Sequence, residues 1–239
     1  MNEQLVSGTF QEQKENHKYI EIEIMVRLKR DIHFLESSEI IAKNINTALC
    51  KNNSELHFQN GFKGYVFNNF FPLEENKIYK NGNNYFLQLR VIDSVYKNFN
   101  NFMKNYSSVD FEVILYRETI KSIKRIEKLY SLTPVLIRLD EKKNWTKEDG
   151  IELLKQRLNS NMYRKFEQIY NRKIDADFIE SITLKNNKPI KIKYKNFHYL
   201  TNKIQITVNM DKTSQELAFL ALSIGLGEGN SYLGLGYCV

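Results

Sequence analysis

Histidine is the residue type in this sequence best suited to acid–base chemistry, because an unperturbed imidazole titrates near neutral pH. The chain has four histidines, at His17, His33, His57 and His198. No two of them have the spacing of metal ligands, and no serine nucleophile elbow of the Gly-x-Ser-x-Gly type is present. We therefore expect chemistry that needs neither a metal ion nor another cofactor. A single loop histidine such as His57, taken alone, is more often solvated than catalytic.

A glycine-rich segment near the end of the chain is a second candidate site. Five of the ten glycines fall within it, at Gly225, Gly227, Gly229, Gly234 and Gly236. A dinucleotide-binding loop would need a strand before it and a helix after it, and a P-loop would need Gly-Lys-Ser/Thr. Two interpretations stay open. The segment forms either an anion nest of exposed backbone N–H groups before a last strand at Leu233–Val239, or a helix cap followed by a hairpin.

Three lysines alternate with apolar residues in a predicted strand, which places their ammonium groups on one strand face. They are Lys191, Lys193 and Lys195, and the residues between them are Ile192 and Tyr194. Such a row fits a phosphate backbone, although a solvated strand face is at least as common. Four basic residues of a predicted long helix add to the basic surface without forming a site: Lys155, Arg157, Arg164 and Lys165.

Composition favours a folded protein with a polyanionic partner. The chain has 239 residues, 42% hydrophobic and 13% aromatic, with a net charge of +7 and a pI near 9.1. A basic protein of this kind gains affinity for nucleic acid by releasing counterions from phosphates. Two cysteines are too few for a disulfide framework, and neither a signal-peptide core nor a membrane-length apolar run is present. We expect a cytoplasmic protein without a membrane partner.

The first half of the chain predicts one ferredoxin-like domain at residues 19–131, after a polar arm at 1–18. Strict alternation from Ile20 to Leu28 indicates a half-buried strand. The remaining predicted elements are a helix from an N-cap at Ser37 to Asn52, strands at 64–68 and 84–91, a helix at 93–106 and a strand at 109–116. The order β-α-β-β-α-β is that of the ferredoxin-like motif.

The second half predicts another domain of the same kind at residues 132–239, beginning near Thr133-Pro134. Its predicted elements are a strand at 135–139, a helix from a Thr146/Asp149 capping box to Tyr170, strands at 178–185, 189–195 and 203–210, and a helix from a Thr213/Glu216 capping box to Gly225. The predicted fold class is therefore α+β, with two tandem ferredoxin-like (RRM-like) domains, an extra hairpin strand and a glycine-rich loop at 225–236.

Two parts of the glycine segment carry a resemblance to a known family. Gly225-Leu-Gly-Glu-Gly-Asn-Ser followed by Gly234-Leu-Gly-Tyr resembles the C-terminal signature of the CRISPR-associated repeat-processing endoribonucleases of the RAMP superfamily. Thr133-Pro134-Val135 at the start of the second half and the tandem element order are similar as well. The resemblance implies that the partner is CRISPR repeat RNA within a precursor transcript, and that the five glycines contact it.

The resemblance also implies roles for particular side chains. The family commonly has a catalytic histidine at the position of His57 and a lysine six residues later, where Lys63 stands. Some members use a tyrosine of the first helix as a base, but Asn46 and its neighbours occupy the matching positions here. His33, just ahead of that helix, is a substitute candidate, although a polar strand end is the more common role for such a residue. The implied reaction is attack of the RNA's 2′-hydroxyl on the adjacent phosphate, which leaves a 2′,3′-cyclic phosphate.

Two other functions stay open. The same superfamily supplies non-catalytic RNA-binding subunits of CRISPR effector complexes, and the lack of a helix tyrosine favours that alternative. The pair His57 and Lys63 favours the enzyme. A pair of ferredoxin-like domains can also serve an unrelated interaction, because many functions share this fold.

Overall fold

The computed structural model describes residues 17–52, 63–123, 125–141, 143–195 and 197–239. The elements of the first domain are β1 His17–Leu28, β2 Ile32–His33, α1 Phe34–Asn52, β3 Tyr65–Phe67, β4 Ile78–Tyr79, β5 Asn84–Ile92, α2 Asp93–Tyr96 and β6 Phe111–Ile123. Strands β3, β5, β1 and β6 lie in that order in one antiparallel sheet, as a ferredoxin-like fold requires. The ferredoxin-like topology predicted for the first half of the chain is therefore confirmed.

The alternation of β1 creates the core of this domain. Successive side chains of a strand point to opposite faces, so every second residue from Ile20 to Leu28 is buried under α1. The apolar face of α1 supplies the other side, with Ile41 and Ile45 fully buried. The helix begins at Phe34, three residues before the predicted N-cap, and the Ser37 hydroxyl instead donates to the Phe34 carbonyl.

The helix predicted for 93–106 is wrong beyond its first turn. α2 ends at Tyr96, and two asparagines in the following turns, Asn101 and Asn105, have φ of 53° and 61°. Asparagine tolerates this left-handed conformation, which interrupts a helix. The Glu118 carboxylate of β6 accepts hydrogen bonds there from the Asn101 backbone N–H and the Tyr116 hydroxyl. Tertiary contacts of β6 thus replace helical hydrogen bonds.

The second domain repeats the same topology with a shorter sheet. Its elements are β7 Lys128–Tyr130, a 3₁₀ turn at Lys147–Asp149, α3 Ile151–Tyr170, β8 Ile179–Leu184, β9 Ile190–Tyr194, β10 Phe197–Thr201, β11 Ile204–Val208, α4 Lys212–Ile224 and α5 Asn230–Leu233. The sheet has the order β7-β11-β8, and Val239 pairs with Tyr130 through two hydrogen bonds of 2.8 Å. The chain end therefore takes the place of the fourth strand, next to the first.

Several predicted boundaries of this domain differ in the structure. The predicted strand at 135–139 forms only isolated bridges, and the first strand is β7, before Thr133-Pro134. The Thr146/Asp149 capping box is present, but it opens the 3₁₀ turn, and α3 starts after Gly150. Helix α4 is capped by Asp211, whose carboxylate accepts from the Ser214 N–H, and not by Thr213. The Asp211 carboxylate, two residues before Thr213, thus satisfies a free N–H group at the start of α4.

Strands β9 and β10 form a separate hairpin outside both main sheets. The strand predicted at 189–195 is present as β9, and its hairpin partner β10 was not predicted from the sequence. In the described part of the chain, no helix is long and apolar enough to cross a membrane.

Candidate functional site

The site is built around a contact between α1 and the residue that leads into β3. The Lys63 ammonium donates to the side-chain carbonyl oxygen of Asn46, in the middle of α1, at 3.1 Å. Asn46 lies in the part of α1 where some members of the resembling family have a tyrosine base. The structure therefore brings Lys63, the predicted site lysine, to that part of the helix. His57 lies outside the described residues, in the segment that joins α1 to Lys63.

His33 is not brought to this pair. It ends β2 directly ahead of α1, and its Nδ1 accepts a hydrogen bond from the Leu35 N–H at 3.2 Å. Asn46 lies further along the same helix, and a helix rises 1.5 Å per residue, which separates the two by roughly 18 Å. His33 therefore acts at the helix start, as a polar strand end that satisfies a free backbone N–H.

The glycine segment is buried between the two domains. A Cβ on Gly234 would lie 2.7 Å from the Phe67 carbonyl oxygen, and one on Gly236 would lie 1.9 Å from the Leu226 carbonyl oxygen. Both glycines also have positive φ. Only glycine fits such close approaches of one backbone to another.

Of the two interpretations of the glycine segment, the nest of exposed N–H groups is not what the structure shows. The N–H groups of Gly225 and Gly236 donate to the carbonyls of Ala221 and Pro134. The continuous strand predicted at Leu233–Val239 is likewise absent, because Leu233 ends α5 and a turn follows it. Cys238 forms an isolated bridge with Ser131, and Val239 pairs with Tyr130 of β7. The helix-cap interpretation fits the first glycine, which is the C-cap of α4.

The glycine segment carries α5 to the first domain. Helix α5 packs against α1 and β3, and the Tyr65 hydroxyl of β3 donates to the Ser231 carbonyl oxygen of α5 at 3.0 Å. On its other side, the Tyr232 ring lies 5.3 Å from the Tyr194 ring of the hairpin. Burial raises the pKa of Tyr232 to about 12. α5 therefore links the α1 side of the site to the hairpin.

The hairpin β9–β10 has one apolar and one basic face. Ile192, Tyr194 and Tyr199 pack towards Leu233 and Leu235. Lys191 and Lys193 are exposed on the opposite face, where Lys193 pairs across the hairpin with His198. The row expected to include Lys195 is shorter than predicted. Lys195 lies in the turn with φ of 52°, and its ammonium is 5.3 Å from the Tyr194 ring centroid.

An open groove of about 740 Å³ lies beside this basic face. It is lined by His198 and Leu200 of β10 and by residues of the 140–146 loop, among them Asp140, Lys143 and Thr146. The Asn144 side chain accepts from the Leu200 N–H at 2.7 Å and so holds the loop to the hairpin. His198 therefore lies at the groove edge, apart from the Lys63 and Asn46 pair in sequence and in element.

Sequence reasoning misplaced one lysine that the structure makes central. Lys165, assigned to the basic surface, is only 5% exposed and points from α3 into the glycine segment. Its ammonium donates to the carbonyls of Gly225 and Gly227 and to the side-chain oxygen of Asn230. Helical periodicity could have predicted its burial, because Lys165 lies seven residues after the buried Leu158 and therefore on the apolar face of an amphipathic helix.

The described residues contain no group of three or more His, Cys, Asp or Glu side chains that could hold a metal ion. The carboxylates of Asp175 and Asp177, two residues apart in sequence, belong to no such group. Asp177 is engaged with Lys155 at 2.7 Å and with Asn159 at 2.9 Å, and these contacts, against the effect of burial, lower the pKa of its carboxyl.

Comparison with solved structures shows what this fold is similar to. A structure described as CRISPR associated protein Cas6 covers 92% of this chain and 98% of its own, with a TM-score of 0.70 and 17% identity. A RAMP protein binding different RNA substrates has a TM-score of 0.68 and 14% identity, over 92% and 98%. The product of a Cas6-related gene from Pyrococcus furiosus has a TM-score of 0.67 and 15% identity, over the same shares.

Comparison of sequences adds the family. No curated protein matches the chain. The family model described as CRISPR associated protein Cas6, C-terminal, matches residues 116–239, which is more than half of the 239 residues. That range includes the hairpin, Lys165 and the whole glycine segment. The chain therefore belongs to the Cas6 family of CRISPR-associated proteins.

Proposed function

We propose that this protein is a metal-independent endoribonuclease that cleaves CRISPR repeat RNA to generate guide RNAs. The observation that carries the proposal is the position of Lys63, whose ammonium reaches Asn46 of α1 beside α5. Its partner is a neutral amide, so the lysine keeps its full positive charge for an anionic ligand. Among the described residues, no carboxylate forms an ion pair with it.

The reaction needs a base, an acid and positive charge at the phosphate. A base removes the 2′-hydroxyl proton, the 2′-oxygen bonds to the adjacent phosphorus, and the bond from phosphorus to the 5′-oxygen breaks as an acid protonates that oxygen. The products are a 2′,3′-cyclic phosphate and a 5′-hydroxyl end. His57 serves as the acid or the base, because imidazole exchanges protons near neutral pH. Lys63 stabilises the charge that grows on the phosphate oxygens.

Asn46 takes part as a positioning residue. An amide cannot remove a proton from a hydroxyl at neutral pH, so it does not replace the tyrosine base of some family members. Its oxygen instead holds the Lys63 ammonium at one place along α1. The proposal therefore assigns proton transfer to His57 and not to Asn46.

The RNA partner is supported by the basic face of the hairpin. Strand β9 contacts α1, and Lys191 and Lys193 are exposed on the hairpin face opposite its apolar residues, which leaves two positive charges available to a phosphate backbone. RNA is recognised largely through its phosphates, 2′-hydroxyls and shape, and lysines on a strand face suit the phosphates. The glycine segment supports RNA binding indirectly, by holding α5 between α1 and the hairpin.

A second candidate function is a non-catalytic RNA-binding subunit of a CRISPR complex. Asn46 on α1 favours it, because no helix base is present there. Solved relatives described as Cas6-RT-Cas1–Cas2 complexes show that a chain of this fold is found in larger assemblies.

The two functions separate in one experiment with the repeat RNA of the protein's own locus. A repeat with a single 2′-deoxy substitution on the 5′ side of the cut should bind with the affinity of native RNA and stay intact, because the nucleophile is missing. Native RNA should be cut at the same rate in excess EDTA. Cleavage of the deoxy RNA, or full inhibition by EDTA, would contradict the mechanism, since a metal-activated water would behave in that way. Tight binding without cleavage of either RNA would support the non-catalytic subunit.

A further inference from the structure

Lys165 is a buried cation held by a complete set of acceptors. Its ammonium donates to the Gly225 carbonyl at 2.8 Å, the Gly227 carbonyl at 2.7 Å and the Asn230 side-chain oxygen at 2.8 Å. A protonated lysine has three N–H donors, so each has an acceptor from the glycine segment. A cation buried to this degree is costly unless such contacts compensate it.

The three acceptors belong to one small folded unit. Asn230, besides accepting from Lys165, donates its amide hydrogens to the carbonyls of Leu226 and Leu235 at 3.0 and 2.7 Å. Lys165 and Asn230 therefore tie together the segment from Gly225 to Leu235. The orientation of α5, which starts at Asn230, depends on this unit.

α5 is the element that joins the two halves of the proposed site. Its Ser231 carbonyl accepts from Tyr65 of β3, two residues after Lys63, and its Tyr232 ring lies against Tyr194 of the hairpin. A displacement of α5 would move the hairpin lysines relative to Lys63. Side chains in packed interiors transmit such shifts because the interior has little free volume.

We infer that Lys165 is a positioning residue of the cleavage reaction, which acts by holding the glycine segment and thereby fixing α5 between α1 and the basic hairpin. The inference rests on the proposed function. Lys165 itself is too deeply buried to contact RNA.

The protonation state of Lys165 gives this role a distinct signature. Burial lowers the pKa of the Lys165 ammonium to about 7, with a smaller contribution in the same direction from Arg164, while Cys238 and Glu228 act in the opposite direction. A neutral amine has two N–H donors and a lone pair, so it cannot satisfy three oxygen acceptors. The hold on the glycine segment should weaken as the pH rises through about 7.

Stability should change with pH in the opposite direction. Because the pKa of Lys165 is lower in the folded chain than in the unfolded chain, the unfolded state binds more protons between pH 7 and the ordinary lysine value. The destabilisation from burying this charge is therefore full below about pH 7 and declines as the pH rises above it. If Lys165 only stabilised the fold, the cleavage rate and the free energy of unfolding would change in the same direction with pH. If Lys165 positions α5, the two should change in opposite directions.

The experiment compares Lys165→Met with Lys155→Met, a matched change on the same helix at a lysine paired with Asp177. Single-turnover cleavage at saturating repeat RNA, affinity for the 2′-deoxy RNA and the free energy of unfolding are measured from pH 6 to 9. Lys165→Met should lower the cleavage rate at least tenfold at pH 6. The ratio of the variant's cleavage rate to the wild-type rate should approach one by pH 9. Lys155→Met should stay within twofold of wild type at every pH.

A second variant tests the inference if Lys165→Met does not fold. Glu228→Gln keeps the shape of the side chain that accepts a hydrogen bond from Arg138. It removes a negative charge that favours the protonated form of Lys165. The pH at which the wild-type rate falls on the alkaline side should move down in this variant. The inference would be overturned if Glu228→Gln left the alkaline fall of the cleavage rate at the same pH. It would also be overturned if the ratio of the Lys165→Met rate to the wild-type rate did not change with pH. A wild-type chain that cuts no RNA would overturn the proposed function and the inference with it.

Discussion

At the residue scale, the proposed site holds a cation that no described carboxylate pairs with. Lys63 is held by the amide oxygen of Asn46, which orients the ammonium without neutralising it. Arg90 shows the opposite use of a cation, since it is paired with Glu21 and buried between the domains. A site that binds phosphate needs the first arrangement, because a carboxylate partner would compete with the phosphate.

We predict that His57→Ala lowers the single-turnover cleavage rate by about 10²-fold, as expected for the loss of a positioned acid or base. Affinity for the uncleavable 2′-deoxy RNA should change little, because the variant removes proton transfer and not a phosphate contact. His33→Ala is the control, since His33 lies at the far end of α1 and should leave the rate unchanged. A larger loss in His33→Ala than in His57→Ala would reverse the assignment.

At the element scale, the two faces of the β9–β10 hairpin follow from two-residue periodicity. Its apolar residues pack on α5 and its lysines face outward, so one short element both attaches to the protein and presents charge. Lys195 leaves this pattern because it lies in the turn, where its ammonium contacts the Tyr194 ring.

We predict that replacing Lys191 and Lys193 together with alanine weakens binding of repeat RNA and flattens its salt dependence. Each lost phosphate contact should reduce the slope of log affinity against log salt by about 0.7 to 0.9. Replacement of Lys173 and Lys212, two exposed lysines elsewhere in the same domain, is the matched control. Lys195→Ala should have a smaller effect than either hairpin lysine. Equal slopes for the hairpin and control variants would show that the face is only solvated.

At the scale of the whole molecule, Arg90 joins the two domains. From β5 its guanidinium bonds Glu21 at 3.0 Å and donates to the carbonyls of Leu222 and Cys238 in the second domain. Its carbon Cζ also lies 4.3 Å from the centre of the Tyr237 ring. Cation–π contact and charge-assisted hydrogen bonds are strong where water is excluded, so this residue ties the chain end to the first sheet.

We predict that Arg90→Met destabilises the protein by about 3 kcal/mol, because it leaves the buried Glu21 carboxylate without its main partner. Lys121, 3.3 Å from the same carboxylate, limits the loss. Arg117→Met removes an exposed ion pair with Glu23 on the same sheet face and should cost about 0.5 kcal/mol. Chemical denaturation of both variants measures the difference. Similar costs for the two would show that Arg90 does not join the domains.

The sequence alone determined the elements whose signals are local. Alternation in β1, the apolar face of α1, the order of strands and helices, and the resemblance of the glycine segment predicted two ferredoxin-like domains and the family. These succeed because periodic burial is written in neighbouring residues. The family resemblance singled out Lys63 as a candidate site residue, but its contact with Asn46 is seen only in the structure.

Only the tertiary structure decided which polar groups are buried and what they contact. Lys165 is predicted to be a surface lysine until the glycine segment is folded over it. The choice between an exposed nest and a buried cap for the glycines is made only by the packing of Phe67 and Leu136 against them. The helix predicted through Asn101 stops because Glu118, distant in sequence, offers its N–H a better acceptor. In each case the deciding partner is remote along the chain, and the free energy of burying a charge or a backbone group depends on that partner and not on sequence neighbours.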